Sequence, residues 1–294
     1  MTSTHALTTA SAVLLALLAA NTSAQDGTLT APGATVRRLA TGFTFVEGPA
    51  ADGYGNVYFT DIPNERIHRW SPGEGVTLFR EDSGRANGLR FDLDGRLLIC
   101  EMGRRRVTAV DVDGTVTVLA ERYNGRRFNS PNDLWVDPSG GVYFTDPRYG
   151  ATDDLELTGN HVYYIAPDRQ TVVQVTTDLV RPNGVVGTSD GSRLYVADHG
   201  GGRTYAYDIA SDGRLRNRRL FVAQGSDGMT LDARGNVYLT GDDVTIYNPD
   251  GNPVGSIAVP EPPANLAFGG VDGTTLFITA RTSLYAVEMT VTGQ

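Results

Sequence analysis

Asn132-Asp133-Leu134-Trp135-Val136-Asp137-Pro138-Ser139-Gly140-Gly141-Val142-Tyr143-Phe144-Thr145-Asp146 is the stretch that decides the fold of this chain. It opens on a polar residue, Asn132, passes a turn at Ser139-Gly140-Gly141, and 11 positions after Asn132 reaches Tyr143 inside the strand-like run VYFTD. The same phrase recurs along the sequence. Glu47, Asn87, Asn183, Asp227 and Asn265 stand 11 or 12 positions before Tyr58, Leu98, Tyr195, Tyr238 and Phe277, in runs that read VYFTD, LLICE, LYVAD, VYLTG and LFITA. Turns rich in Asp and Gly, such as Asp94-Gly95 and Asp190-Gly191, separate the members of the pairs. Successive polar marks lie 40, 45, 51, 44 and 38 residues apart. That is the length, about 40 to 50 residues, of the unit that builds one propeller blade. Six marks therefore predict an all-β, six-bladed β-propeller.

Each blade of such a fold is a four-stranded antiparallel sheet whose first strand lines a central channel. A residue that keeps one register at the start of that strand recurs around the channel mouth. The ring so formed holds two carboxylates (Glu47, Asp227) and four carboxamides (Asn87, Asn132, Asn183, Asn265), with no thiol or imidazole. Hard oxygen donors of this kind suit a divalent cation, calcium above all, which takes about six to eight oxygens. Asn and Asp before Gly are also ordinary turn formers, and it is the six-fold register that favours a site.

The last repeat has strand patterns near 266–268, 275–279 and 283–288, after which the sequence ends one strand short of a blade. Residues 36–40 (VRRLA) precede Glu47 as 116–120 (VTVLA) precede Asn132, so an N-terminal strand is expected to close the ring and remove its exposed edges.

Residues 1–24 read as a secretory signal peptide: 12–20 form an apolar run too short for a membrane span, and Thr22-Ser23-Ala24 resembles a small-residue cleavage site, although no Lys or Arg precedes the run. Residues 25–294 suffice for a single propeller domain. With one cysteine, Cys100, in the strand LLICE, no intrachain disulfide can form, and the thiol reads as a small buried apolar group. An exported protein without disulfides fits a periplasmic or secreted location. The net charge of −9 disfavours a nucleic-acid partner, and no membrane insertion is expected after signal removal. Arg104-Arg105-Arg106 reads as a solvated strand start.

Several stretches resemble the gluconolactonase family, which includes regucalcin and the luciferin-regenerating enzymes. They are 45–49 (FVEGP), 86–89 (ANGL), 128–133 (FNSPND), 143–147 (YFTDP), 182–184 (PNG), 227–229 (DGM) and 265–270 (NLAFGG), and they span all six repeats. The resemblance implies a six-bladed propeller with one catalytic divalent cation, commonly calcium, in the channel mouth. Carried over position by position, it implies Glu47, Asn183 and Asp227 as metal ligands, and Asn132 as an amide on metal or substrate. One departure is visible. A His is expected after the acid that ends the second-blade strand, and Met102 follows Glu101 here.

The reaction so implied is hydrolysis of a sugar lactone, such as gluconolactone, to the aldonic acid, with a polarised carbonyl and water attack. Calcium lowers the pKa of water less than zinc does, so a base is required. Asp227 is the first candidate, because a ligand carboxylate bound through one oxygen keeps a second for water. Glu101 is the second. His199 reads as a loop residue beside Gly200-Gly201-Gly202, and His68 and His161 as structural. Ser130 and Ser226 adjoin the ring without a nucleophile elbow, and read as supporting hydrogen-bonders. Substrate contacts are expected from Asn87, Asn132 and Asn265 of the ring, and from Arg127, Arg148 and Tyr149 on the loops at 121–131 and 147–160. The competing reading is a non-catalytic, calcium-plugged propeller serving as a binding platform.

Overall fold

The computed structural model describes Met1 and residues 29–294, so the expected signal peptide falls, from its second residue on, outside the described residues. Six four-stranded antiparallel sheets follow one another, each adding its strands in sequence order except the last. Their innermost strands are Val46–Ala51, Ala86–Phe91, Leu134–Val136, Pro182–Gly187, Met229–Leu231 and Pro263–Gly269. The sixth blade takes Arg37–Thr41 as its outer strand, antiparallel to Ser283–Glu288, with Arg37 opposite Ala286 and Thr41 opposite Ser283. The expected closure is thus observed, one residue later than the pattern predicted. A small hairpin, Arg122–Tyr123 with Arg126–Arg127, stands in the connection to blade three.

The Asp-Gly turns have a specific chemistry. The Asp52 carboxylate accepts backbone N–H groups from Tyr54 and Asn56 at 2.8 and 2.9 Å, and Asp137 accepts from Ser139 and Gly141 at 2.7 and 2.9 Å. Asp92 and Asp232 repeat the pattern in blades two and five. Each Asp substitutes for a turn's missing backbone partner, which fixes the hairpin and hence the register of the second strand.

Polar residues that end the second strands tie blade to blade. Thr60 donates to the Asn87 carbonyl at 3.2 Å, Thr145 to that of Asn183 at 2.7 Å and Thr240 to that of Ala264 at 3.1 Å. The following acids hold the loop that leads into the same blade's inner strand: Asp61 accepts from Phe45 N at 3.1 Å, Asp146 from Ser130 N at 2.7 Å and Asp198 from Arg181 N at 2.8 Å.

Apolar residues pack between neighbouring blades. One cluster joins Trp135 and Tyr143 of blade three, Tyr195 and Val196 of blade four, and Met229 and Leu239 of blade five. Cys100 lies in the adjoining cluster, fully buried, and burial pushes its thiol well above the usual range, as expected for an inert packing group. Near the axis the inner strands crowd. A Cβ on Gly48, whose φ is +46°, would lie 2.0 Å from the Asn87 carbonyl oxygen, and one on Gly228 would lie 2.1 Å from the Asn265 carboxamide carbon.

Candidate active site

The marks sit where the inner strands are irregular. In blades one, two, four and six the pairing shifts at the mark, between Glu47 and Ala50, Ala86 and Leu89, Pro182 and Val185, and Pro263 and Asn265. In blades three and five the inner strand begins two residues after Asn132 and Asp227. A bulge re-aims a side chain that regular pleating would send elsewhere. Glu47, Asn87, Asn132, Asn183 and Asn265 are buried, between 3% and 6% exposed.

Two of the marks meet directly, and Tyr149 joins them. The Asn183 amide nitrogen donates to Asp227 Oδ1, and also to Tyr149 Oη at 2.8 Å. Glu47 accepts from Gly48 N at 2.9 Å. Burial first, then the charge of Asp227, holds the Glu47 carboxyl well above the usual carboxylate range. Burial also raises Asp227, against the pull of His199, Asn183 and Arg281. The Asn265 carboxamide oxygen accepts from Leu266 N at 2.8 Å, and the Asn87 amide meets Met102 Sδ at 3.8 Å, in the place where a His was expected.

This donor set fits a hard cation. Among the described residues neither Glu47 nor Asp227 has a salt-bridge partner, and no group of three His, Cys, Asp or Glu side chains forms a metal cluster. A buried carboxylate, Glu47, and a half-buried one, Asp227, beside carboxamide oxygens leave negative charge uncompensated, the situation a divalent cation relieves.

The sequence did not single out Asp133. It is 7% exposed and burial raises its carboxyl to about 7, against hydrogen bonds from Leu134 N and Val185 N and the charge of Arg90. Its charge adds to the rise of the Glu47 carboxyl. The available signal was positional: four of the six marks are followed by Gly, at 48, 88, 184 and 228, whereas Asn132 is followed by an acid.

Other expected residues are placed differently. Glu101, fully buried, ends the second strand of blade two in the position held by Asp61, Asp146 and Asp198. Its longer carboxylate turns to Arg80 at 3.3 Å, Arg104 at 3.4 Å and Arg106 at 2.7 Å, and accepts from the Thr108 hydroxyl at 3.1 Å. With both oxygens engaged it is a structural anchor, which corrects its reading as a base. The run Arg104-Arg105-Arg106 is accordingly not a solvated strand start, because Arg105, 4% exposed, donates to Phe128 O and pairs with Asp154.

Arg127 is bound to Glu156, and Arg148 to Asp154 at 2.9 Å. Both ion pairs hold the loop over 147–160. Tyr149 does reach the ring, with the Arg181 guanidinium 5.1 Å from its ring centroid. His199, read as a loop residue, opens a short 3-10 turn and lines a cleft with Asp227. Ser130 donates to Pro147 O at 3.0 Å and Ser226 to the Gly228 and Thr240 carbonyls, the supporting role expected of both.

The cleft, of about 800 Å³, opens from Asp227 over blade five. Fold and site together define a six-bladed propeller with a buried acid–amide pocket at one end of its channel. Residues 45–282 match the family described as SMP-30/Gluconolactonase/LRE-like region, and the chain belongs to that family. It is 34% identical over 286 residues to a gluconolactonase of Zymomonas mobilis subsp. mobilis, covering 85% of this chain and 80% of that one. A solved gluconolactonase from Xanthomonas campestris superposes with a TM-score of 0.83 at 31% identity, over 89% of this chain and 91% of the other. A regucalcin from Agrobacterium tumefaciens, described as a calcium-binding protein, shares the fold at a TM-score of 0.75 and 22% identity, over 88% and 95% of the two chains.

Proposed function

We propose that this protein is a lactonase that hydrolyses a sugar lactone to its aldonic acid with the help of a divalent cation, calcium being the expected one. The lactonase part is supported by relatives named gluconolactonase and pentonolactonase at 34% and 31% identity over most of the chain. The observation that carries the site is the contact of Asn183 with both Asp227 and Tyr149, beside the buried Glu47.

Glu47, Asn132, Asn183 and Asp227 would hold the cation. A cation bound there polarises the carbonyl and offsets the charge that develops on its oxygen. The chain's own residues supply orientation and proton transfer. The Asn183 amide nitrogen is committed to Asp227 and Tyr149, which leaves its carboxamide oxygen for the cation. Asp227 accepts that bond through Oδ1 and keeps Oδ2 to take a proton from the attacking water, whose oxygen bonds to the carbonyl carbon. Collapse breaks the ring C–O bond, and the departing ring oxygen takes up the proton that Asp227 accepted, which restores the carboxylate and leaves a hydroxyl on the product. Because Tyr149 Oη accepts from Asn183, its own O–H is free to donate to a substrate oxygen. An exported, periplasmic or secreted location is part of the same reading, supported by the apolar run at 12–20 and the single cysteine.

The test is lactone hydrolysis before and after chelation, with calcium, magnesium, manganese or zinc restored, in wild type, Asp227→Asn and His199→Ala. Chelation should abolish turnover and Asp227→Asn should nearly do so, while His199→Ala keeps most of it. If His199→Ala instead costs about a hundredfold or more, the scale of a lost general base, the imidazole is the base and Asp227 is not. Cation binding without turnover of any lactone would favour the binding-platform reading.

A further inference from the structure

The mouth of the channel is walled unevenly. Over blade three the connection between the second and third strands is long, from Pro147 to Asn160, and brings Tyr149 onto the ring. Over blade five the equivalent connection is the short turn Gly241-Asp242-Asp243, between Val237–Thr240 and Val244–Tyr247. Gly241 stands there in place of the strand-end acid that pins a loop in blades one, three and four. A lactone seated at Asp227 is therefore walled by the blade-three loop, while the connections of the other blades are short and the cleft opens over blade five.

The open side is the cleft of about 800 Å³, which runs from Asp227 past Asp242 to Ser256 on the outermost strand, Pro253–Ile257. Crossing four strands at about 4.8 Å spacing gives a groove roughly 14 Å long. Pockets that engulf drug-sized ligands hold roughly 300–1,000 Å³. A monosaccharide lactone, with about a dozen non-hydrogen atoms, is well below that class. It would occupy roughly half the groove's length.

The lining suits carbohydrate. Among the described residues the Asp242 carboxylate and the Ser256 hydroxyl form no side-chain hydrogen bond. Gln224 accepts from Tyr247 at 2.7 Å through its carbonyl oxygen, so its amide hydrogens face the space unspent. At the far wall Phe45 carries Arg281 over its ring at 5.8 Å, an apolar platform beside a donor. Unpaired acceptors, amide donors and an aromatic face are what a sugar's hydroxyls and C–H faces require, and an acyl chain would leave them desolvated and unpaired.

We propose that the cleft over blade five is a second sugar subsite, so that the preferred substrate is the lactone of a glycosylated aldonic acid, with the glycosyl unit lying from Asp242 to Ser256. The inference rests on the lactonase reading. Its chemistry is unchanged, since the glycosidic bond stays intact and only the lactone ester is cleaved.

Initial rates on glucono-1,5-lactone, cellobiono-1,5-lactone, maltobiono-1,5-lactone and an N-acyl homoserine lactone test it, in wild type, Asp242→Ala and Ser256→Trp. Ser256 is exposed on an outer strand, so Trp should fill the groove without disturbing the fold. At least one disaccharide lactone should be hydrolysed with kcat/KM about tenfold above the monosaccharide, the scale of one or two added hydrogen bonds. Ser256→Trp should erase that advantage while glucono-1,5-lactone stays within about twofold of wild type, and Asp242→Ala should weaken the disaccharide alone. The proposal is overturned if both disaccharide lactones are no better than the monosaccharide, if the two variants slow every lactone alike, or if the acyl lactone is preferred. Failure of every lactone, with and without cation, would instead overturn the lactonase reading on which it stands.

Discussion

At the scale of single residues, the site depends on which way one carboxamide faces. An amide offers an oxygen at one end and hydrogens at the other, and Asn183 spends its hydrogens on Asp227 and Tyr149. Tyr149 is thus predicted to position a ligand as well as to touch substrate. Burial, with Asp227 and Glu47 nearby, pushes its hydroxyl up to about 12, so it stays protonated through the working range and continues to accept from Asn183. Tyr149→Phe removes that acceptor at a residue 37% exposed, where the fold should not suffer. Loss of such an outer contact typically costs about 10- to 100-fold in metal affinity, and calorimetric titration with calcium should show a loss in that range with an unchanged melting temperature. Unaltered calcium affinity would leave Tyr149 as a substrate contact alone. Glu101 teaches the converse lesson. From sequence it is an acid at the end of a strand facing the mouth, and it becomes an anchor because Arg80, Arg104 and Arg106 converge on it from two neighbouring strands and a turn.

At the scale of elements, polar side chains set where each strand begins and what it faces. Glu261 does this for the closing blade. It accepts from the Thr282 backbone and hydroxyl at 2.9 Å each, from Ser283, and from Tyr285 at 2.8 Å, and so grips the start of the strand on which the N-terminus docks. Burial pulls its carboxyl up, but these donors outweigh it and lower it from 4.5 to about 2. A folded-state value below the unfolded one means that the stabilisation is complete above the unfolded value. It is lost as pH falls from about 4.5 through about 2. Glu261→Gln should therefore lower the melting temperature at neutral pH and make the acid side of the stability curve shallower. Parallel curves for the two proteins between those values would remove Glu261 from this role.

At the scale of the whole molecule, the propeller is a closed ring whose last sheet is shared between the two ends of the chain. Leu39 and Ala40 pack with Val46, Phe59 and Leu284, so the N-terminal strand contributes apolar contact as well as backbone pairing. Deleting residues 1–41 would leave Ser283–Glu288 as an open edge, a template for pairing with another chain. The truncated protein should melt about 10 °C or more lower, given roughly 2–4 °C per kcal/mol at this size and several kcal/mol in a lost strand. It should also run as larger species in size-exclusion chromatography. A monomeric truncation with unchanged melting temperature would show that closure is dispensable.

The sequence by itself determined the architecture. A period near one blade, the Asp-Gly turns and the VYFTD-like runs are local signals, because turn chemistry and strand alternation act over a few residues and repeat with the fold. It also marked the ring, since one register recurring six times can point only at the shared axis. What the tertiary structure decided is which polar groups meet. The pairing of Asn183 with Tyr149 joins positions 34 residues apart, and the arginine cage of Glu101 joins strands of two blades. The cleft over blade five lies where the second strand gives way to Gly241 and turns back within three residues, without the acid that pins a loop in blades one, three and four. Such contacts depend on how neighbouring blades pack and on how bulges aim side chains, and no local pattern encodes a distance between residues on different strands.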